Sequence, residues 1–256
     1  MPFRNSPFLR KNWKNALWGN RHLWGLEVRE DDPDWKEWQR TYMDFYLANQ
    51  REGVGTAVND AGYRVMSRID LTGKTVLEIG PGDIRHMEYW EGKPEKYVLV
   101  DIDEGMLNSG AARLEEIGIK TERHLLRRGE ALPISPGLID VIITFYSLEH
   151  IYPLIPYLAE MSSLLHSDGV LIGAVPAEGG LAWGGGRMIT SRRWMKKNTT
   201  ITPDKIICWE HPNFADQIVN DLDLHFHRIH MGMWPFGWLP VVDLNLIVRF
   251  MYKKRT

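Results

Sequence analysis

Three groups of residues carry types and spacings suited to chemistry. The first is Glu78-Ile79-Gly80-Pro81-Gly82-Asp83, which continues the apolar run Thr75-Val76-Leu77. An apolar run ending in an acid and two glycines reads as a buried strand feeding a tight turn, where a ligand can approach the backbone. Tyr97-Val98-Leu99-Val100 then delivers Asp101, a second acid at a strand tip. An acid in that position is placed to hydrogen-bond a ribose. The two elements together point to a cofactor that contains adenosine. The dinucleotide fingerprint needs a third glycine three positions after the second, and Arg85 stands there. A phosphate-binding loop needs Gly-Lys-Ser/Thr after its turn, whereas this turn runs on into Asp83-Ile84-Arg85.

The second group is Tyr146, Glu149 and His150, which follow the run Ile139-Asp140-Val141-Ile142-Ile143 and Phe145. In an open α/β sheet they would sit at the carboxyl end of a strand, where ligands bind. There His150 can act as a general base or bind substrate, with Glu149 orienting it, or it can merely cap the loop. The third group is Glu210-His211-Pro212-Asn213, polar and just ahead of a helical stretch. A helix cap accounts for Asn213 but not for Glu210 and His211. Glu149, His150, Glu210 and His211 have ligand chemistry but no metal-site spacing, and no metal is expected. Arg187, Arg192, Arg193, Lys196 and Lys197 follow three glycines, Gly184-Gly185-Gly186. They read either as a solvated helix face or as a clamp for an anionic acceptor, with the glycines as a loop that could close.

Read as Glu-x-Gly-x-Gly, the first group resembles motif I of class I S-adenosylmethionine (SAM) methyltransferases of the methyltransferase type 11 kind. Further segments are similar to that family in order and spacing. They are Val100-Asp101-Ile102-Asp103-Glu104-Gly105-Met106-Leu107, Gly129-Glu130-Ala131-Leu132-Pro133, Ser147-Leu148-Glu149-His150 and Leu164–Ile172, so the resemblance covers roughly residues 70–177. It implies SAM as cofactor. Amides of the Gly80-Pro81-Gly82 turn would meet its carboxylate, and Glu78 and Asp83 its ammonium. Asp101 would hold the ribose, Ile102 and Met106 the adenine faces, and Glu130 and Ala131 the adenine edge, with Phe145 beside the cofactor. Arg128 stands where many members carry an acid for the adenine amino group.

The elements that must position these groups follow from composition and pattern. The chain has 256 residues, 44% hydrophobic and 25% charged, enough for one sizeable α/β domain with additions. A net charge of −2 creates no global field for nucleic acid. A lone cysteine, Cys208, rules out an internal disulfide, and no stretch reads as a signal core or a membrane span. The expected location is cytoplasmic. Strands are predicted near 75–79, 97–101, 123–127, 139–145, 169–175, 224–231 and 241–252, and helices near 57–69, 84–91, 104–117, 153–165 and 212–223. Asp31-Asp32-Pro33-Asp34 opens a further helix whose Trp35, Trp38, Tyr42, Phe45 and Tyr46 recur at helical spacing, with Gly53-Val54-Gly55-Thr56 ending it.

Five of the 11 tryptophans fall in the first 38 residues. The expected architecture is a doubly wound, seven-stranded Rossmann-like methyltransferase sheet with an antiparallel last strand. Residues 1–69 form an aromatic-rich helical cap, 70–256 the methyltransferase domain, and 178–211 an acceptor-side insert. The alternative for the cap is a helical layer on the sheet edge. The expected activity is methylation of a small polar acceptor, a sugar or other metabolite, on oxygen or nitrogen, with Glu210, His211, Arg192 and Arg193 binding it. The alternatives are an RNA or protein methyltransferase, or a non-catalytic protein of the same fold.

Overall fold

The computed structural model describes residues 2–50 and 54–255. Seven strands form one sheet: β1 Thr75–Ile79, β2 Lys96–Asp101, β3 Lys120–Leu125, β4 Ile139–Phe145, β5 Leu165–Pro176, β6 Phe226–Trp234 and β7 Ile247–Lys254. Their order is β3-β2-β1-β4-β5-β7-β6. β1 to β5 pair in parallel, and β7 runs antiparallel between β5 and β6, as the sequence predicts for the last strand. Val76, Leu77, Ile79, Val98, Leu99, Val100, Ile142 and Ile143 are buried, which is the continuous apolar signature of parallel strands covered on both faces.

Register sets the site. Ile79 lies opposite Val100 on one side and Thr144 on the other. Gly80, Asp101 and Phe145 therefore leave the sheet at one level. The strand order reverses between β1 and β4, which opens the crevice where ligands of such sheets bind.

Ten α-helices surround the sheet among the described residues. They are α1 Lys11–Trp18, α2 Arg21–Trp24, α3 Pro33–Gln50, α4 Val54–Tyr63, α5 Glu104–Glu116, α6 Leu154–Leu164, α7 Leu181–Ile189, α8 Ser191–Asn198, α9 Pro203–Glu210 and α10 Ala215–His225. Several predicted elements are corrected. The helix expected over 84–91 is a short 3-10 turn, Arg85–Tyr89, entered through Ile84 at φ +50°. The helix expected over 57–69 ends as α4 at Tyr63 and continues as 3-10 turn Arg64–Arg68. β3 begins three residues earlier than predicted, at Lys120, and β5 four earlier, at Leu165. The helix expected to open at Pro212 starts at Ala215. The break assigned to Gly53 and the side chain of Tyr46 lie outside the described residues.

The glycine triplet is the largest departure. Gly184-Gly185-Gly186 lies inside α7 and is not a loop. A Cβ on Gly184 would press on Trp18 Nε1 and the Leu17 carbonyl at 3.1–3.2 Å. The missing side chain lets α1 approach closely, and that packing overrides the poor helix propensity of glycine.

The N-terminal segment and the 178–211 insert share a core of their own. Trp35 and Trp38 of α3 pack with Met195, Ile201, Ile206, Cys208 and Trp209, and the Trp35 and Trp209 rings meet edge to face at 6.4 Å. Each buried tryptophan removes about 150–250 Å² from water, worth on the order of 4–6 kcal/mol before entropy is counted. α4, grouped with the N-terminal segment by sequence, instead packs into the core of the main sheet through Val58 and Tyr63.

Candidate active site

The cofactor side is built from the tips of β1 and β2. Gly80 and Gly82 sit at φ +68° and +54°, where a side chain is strained. A Cβ on Gly80 would collide with Ser147 Oγ, which donates to the carbonyls of Ile79 at 3.0 Å and Phe145 at 3.1 Å. Gly82 faces open space, with nothing within 4 Å of a Cβ placed there. Asp101 Oδ1 accepts from the Asp103 amide at 2.9 Å. Burial pushes the Asp101 carboxyl up to about 6, against the lowering by those local amides. Ile102 is 61% exposed and Met106 half-buried, and Glu130 and Ala131 are exposed. Glu130 closes its own turn by accepting from the Arg127 amide at 2.7 Å. The Arg128 guanidinium lies 5.3 Å over the Trp35 ring, so this edge of the crevice touches the N-terminal layer.

The other half of the site gathers at the tips of β4 and β5. His150 Nδ1 lies 2.6 Å from the Glu210 carbonyl and 3.2 Å from Glu210 Oε2. Both neighbours are acceptors, so Nδ1 carries a proton and Nε2 presents its lone pair. Nε2 stands 3.9 Å from Glu149 Oε1. Glu149 is buried, and its Oε2 has no hydrogen-bond partner among the described residues. Burial pushes the Glu149 carboxyl up to about 7, although His150 works against that. Burial alone would lower the His150 pKa, but the hydrogen bond to Glu210 and the charge of Glu149 raise it above its ordinary value. The imidazole is 35% exposed and is the way into the cluster.

Behind His150 stands His211, ring to ring at 4.6 Å. Its Nδ1 lies 2.8 Å from Arg187 Nη2 and 2.9 Å from Glu178 Oε2, close enough to donate to that carboxylate. Burial and the Arg187 charge push His211 down to about 4, so the ring is neutral. Burial would raise the Glu178 carboxyl, yet Arg187 and His211 hold it at about 2. Trp38 Nε1 donates to Glu210 Oε1 at 2.9 Å, and Arg21 Nη2 to the His211 carbonyl at 2.7 Å. The N-terminal segment thus reaches into the cluster.

Sequence-predicted residues divide as follows. The structure brings Gly80, Pro81, Gly82, Asp101, Ile102 and Met106 to the crevice, and joins Glu149, His150, Glu210 and His211 in one cluster. Glu78 is fully buried, with Oε1 2.7 Å from His86 Nε2 and Oε2 accepting from Tyr97 at 2.6 Å, so both oxygens are engaged by the fold itself. Tyr146 is corrected. Its hydroxyl donates to the Asn59 carbonyl at 2.7 Å, and burial raises its pKa well above the phenol value, which removes it from acid–base work. Phe145 is a core residue against Tyr63 and His86, with ring centroids 5.0 Å away in each case. Asp83 is buried beside the glycine turn. Asn213 does not cap a helix; its amide donates to the carbonyls of Leu148 at 2.9 Å and Ile151 at 2.6 Å, fixing the loop that carries His150. Arg187 is buried against Glu178, not facing an acceptor, and Arg192 pairs with Asp204 while Arg193 is exposed. Glu178 and Ser147 were not singled out by sequence. For Glu178 a signal exists, an acid at a strand tip before Gly179-Gly180.

A parallel sheet ordered 3-2-1-4-5-7-6 with one reversed strand, a glycine turn after β1 and an acid at the tip of β2 defines a class I SAM-dependent methyltransferase core. Residues 77–173 match the family model described as a methyltransferase domain. Solved structures share the fold at low identity. The N-methyltransferase NodS from Bradyrhizobium japonicum, solved with S-adenosyl-L-homocysteine, is 12% identical with a TM-score of 0.58, over 88% of this chain and 100% of that one. A SAM-dependent methyltransferase from Thermotoga maritima is 14% identical with a TM-score of 0.53, over 87% and 100%. One from Aquifex aeolicus is 13% identical with a TM-score of 0.50, over 80% and 100%. No relative was found among curated protein sequences. Residues 77–173 carry a methyltransferase domain in a sheet of the class I fold, the fold whose characteristic cofactor is SAM. The residues fit that cofactor: the backbone at Gly82 is open to approach, Ile102 is uncovered, and Asp101 ends the neighbouring strand β2. No helix among the described residues is long and apolar enough to cross a membrane.

Proposed function

We propose that the protein methylates a small polar acceptor, on oxygen or nitrogen, held at the cluster of Glu149, His150, Glu210 and His211. Bound SAM supplies an electrophilic methyl group on a sulfonium. The turn amides of Gly80 and Gly82 receive the cofactor's carboxylate, Asp101 its ribose, and Ile102 and Met106 its adenine. His150 takes the proton of the acceptor hydroxyl or ammonium at Nε2, with Glu210 fixing the tautomer and Glu149 sharing the acquired charge. The N-terminal layer, through Trp38 and Arg21, excludes water and completes the pocket. A single buried cysteine fits the cytoplasm as its location.

The observation that carries this reading is the half-exposed His150 ring, whose Nε2 stands 3.9 Å from Glu149 Oε1, beside the buried Glu149 Oε2 that has no hydrogen-bond partner among the described residues. Incubation with methyl-labelled SAM and size-fractionated cell extract tests it. Label is expected in the small-molecule fraction and absent with His150→Asn. Label recovered in RNA or protein instead, or in no fraction, overturns the proposal.

A further inference from the structure

A basic cluster lies on α7 and α8, beside the N-terminal end of α9. Residues 179–203 contain Arg187, Arg192, Arg193, Lys196 and Lys197 and no Asp or Glu, in a chain of net charge −2. Four of these line a shallow concavity of about 390 Å³ between α7 and α8, together with Met188 and Ile189. Arg192 is the buried member of that lining. The side chain is only 7% exposed, and its Nη1 pairs with Asp204 Oδ1. Its Nε and Nη2 are buried with no hydrogen-bond partner among the described residues. Those two nitrogens form the side-on edge of the guanidinium, the edge that receives two oxygens of one anion in parallel. Buried charged donors left unfilled are costly, and a ligand on this edge would relieve that cost. Arg193, Lys196 and Lys197, all exposed, line the same concavity.

We propose that the α7–α8 concavity is a phosphate-binding site, with the Nε/Nη2 edge of Arg192 holding two phosphate oxygens and Arg193, Lys196 and Lys197 supplying charge. Ile189 is 73% exposed and Met188 44%, and they form an apolar lip on the same concavity. An amphiphilic phosphate ester fits that pairing of charge and apolar surface. The phosphate can come from a lipid headgroup or from a soluble ester. The site is separate from the His150 cluster: Asp204 and Glu210 are six residues apart on α9, about 9 Å along its axis. It does not depend on the methyl-transfer reading, because binding is read directly.

Calorimetry with inorganic phosphate and with glycerol 3-phosphate tests the soluble source, and co-sedimentation with phosphatidylcholine vesicles containing phosphatidic acid tests the headgroup. SAM affinity is measured in parallel to separate loss of the site from loss of the fold. Saturable binding in either arm is expected, and the stronger arm names the source. Arg192→Lys keeps the charge but loses the fork, and is expected to weaken phosphate binding at least tenfold with SAM affinity unchanged. In the unaltered protein, the Arg192 Nε–H resonance is expected to shift on phosphate addition, which does not depend on any variant folding. No saturable binding in either arm overturns the proposal. So does binding that leaves the Nε–H resonance unmoved, or binding that Arg192→Lys does not weaken, since either result assigns it to surface charge alone.

Discussion

The ring of His150 and the main-chain carbonyl of Glu210 lie 2.6 Å apart, although 60 residues separate them in the chain. This contact decides which nitrogen of the imidazole is basic. It also makes the insert, through the last residue of α9, part of the machinery at the tip of β4. Orientation by a carbonyl leaves the Glu210 carboxylate free to meet Trp38 and to balance the imidazolium when it forms.

Replacing His150 by Asn is expected to lower kcat by about 10²–10⁴ with SAM affinity unchanged, the range general-base catalysis supplies. In the native enzyme kcat is expected to fall as pH drops below about 7. There Glu149, whose carboxyl sits at about 7, gains a proton, and at more acid pH His150, whose pKa Glu210 and Glu149 raise above its ordinary value, no longer offers a lone pair. A pH–rate profile that stays flat from pH 8 to 5.5 would return His150 to a purely structural role.

Asp101 offers a test on the cofactor side. Its loss in Asp101→Ala removes a charged hydrogen bond and is expected to weaken SAM binding by about 1.5–3 kcal/mol. Its carboxyl sits at about 6, raised chiefly by burial, so it is ionised above that pH and neutral below. SAM affinity measured by calorimetry is therefore expected to decline between pH 7 and 5. In the cofactor-free protein the sign reverses. A raised carboxyl pKa costs stability where the group is charged, so Asp101→Asn is expected to raise the melting temperature at pH 7.

Glu178 has the opposite linkage. Burial would raise its pKa, but Arg187 and His211 hold it at about 2, below the unfolded carboxylate value. A depressed carboxyl contributes stability that is complete above about 4.5 and is lost as pH falls towards 2. Glu178→Gln is expected to cost about 3–5 kcal/mol at pH 7, because it strands a buried guanidinium. Denaturant unfolding should also show the variant losing less stability than the native chain between pH 4.5 and 2.

Helical glycines make the fourth expectation. Gly185 and Gly186 sit within α7 with open space where a Cβ would go. Gly185→Ala and Gly186→Ala should each stabilise the chain by about 0.5–1 kcal/mol. Gly184→Ala, pressed against Trp18 and Leu17, should not. Destabilisation at all three positions in thermal melts would contradict a helix there.

The glycine turn and the acid at the tip of β2 were readable because their determinants are local. Gly80, Gly82 and Asp101 announce themselves by strand pattern and turn chemistry within a few dozen residues, and parallel pairing then brings them to one level. The acceptor half was only partly readable. Glu149, His150, Glu210 and His211 stood out as polar clusters, but nothing in their spacing says that they meet, since Trp38 and Glu210 join across 172 residues. Glu78 looked like a ligand for the cofactor by position. Its partners, His86 and Tyr97, approach from a turn and a neighbouring strand. The Gly184–Gly186 triplet misled for a related reason: propensity argues for a loop, and close packing against α1 decides for a helix.

The shared core of Trp35, Trp38 and Trp209 has an evolutionary consequence. Two pieces of sequence, some 150 positions apart, behave as a single heritable cassette. Either piece grafted alone onto another methyltransferase would carry bare tryptophan surface and an unsupported α9. A change to one face of this core is therefore expected to need a matching change in the other piece, while the glycine turn and Asp101 lie outside it.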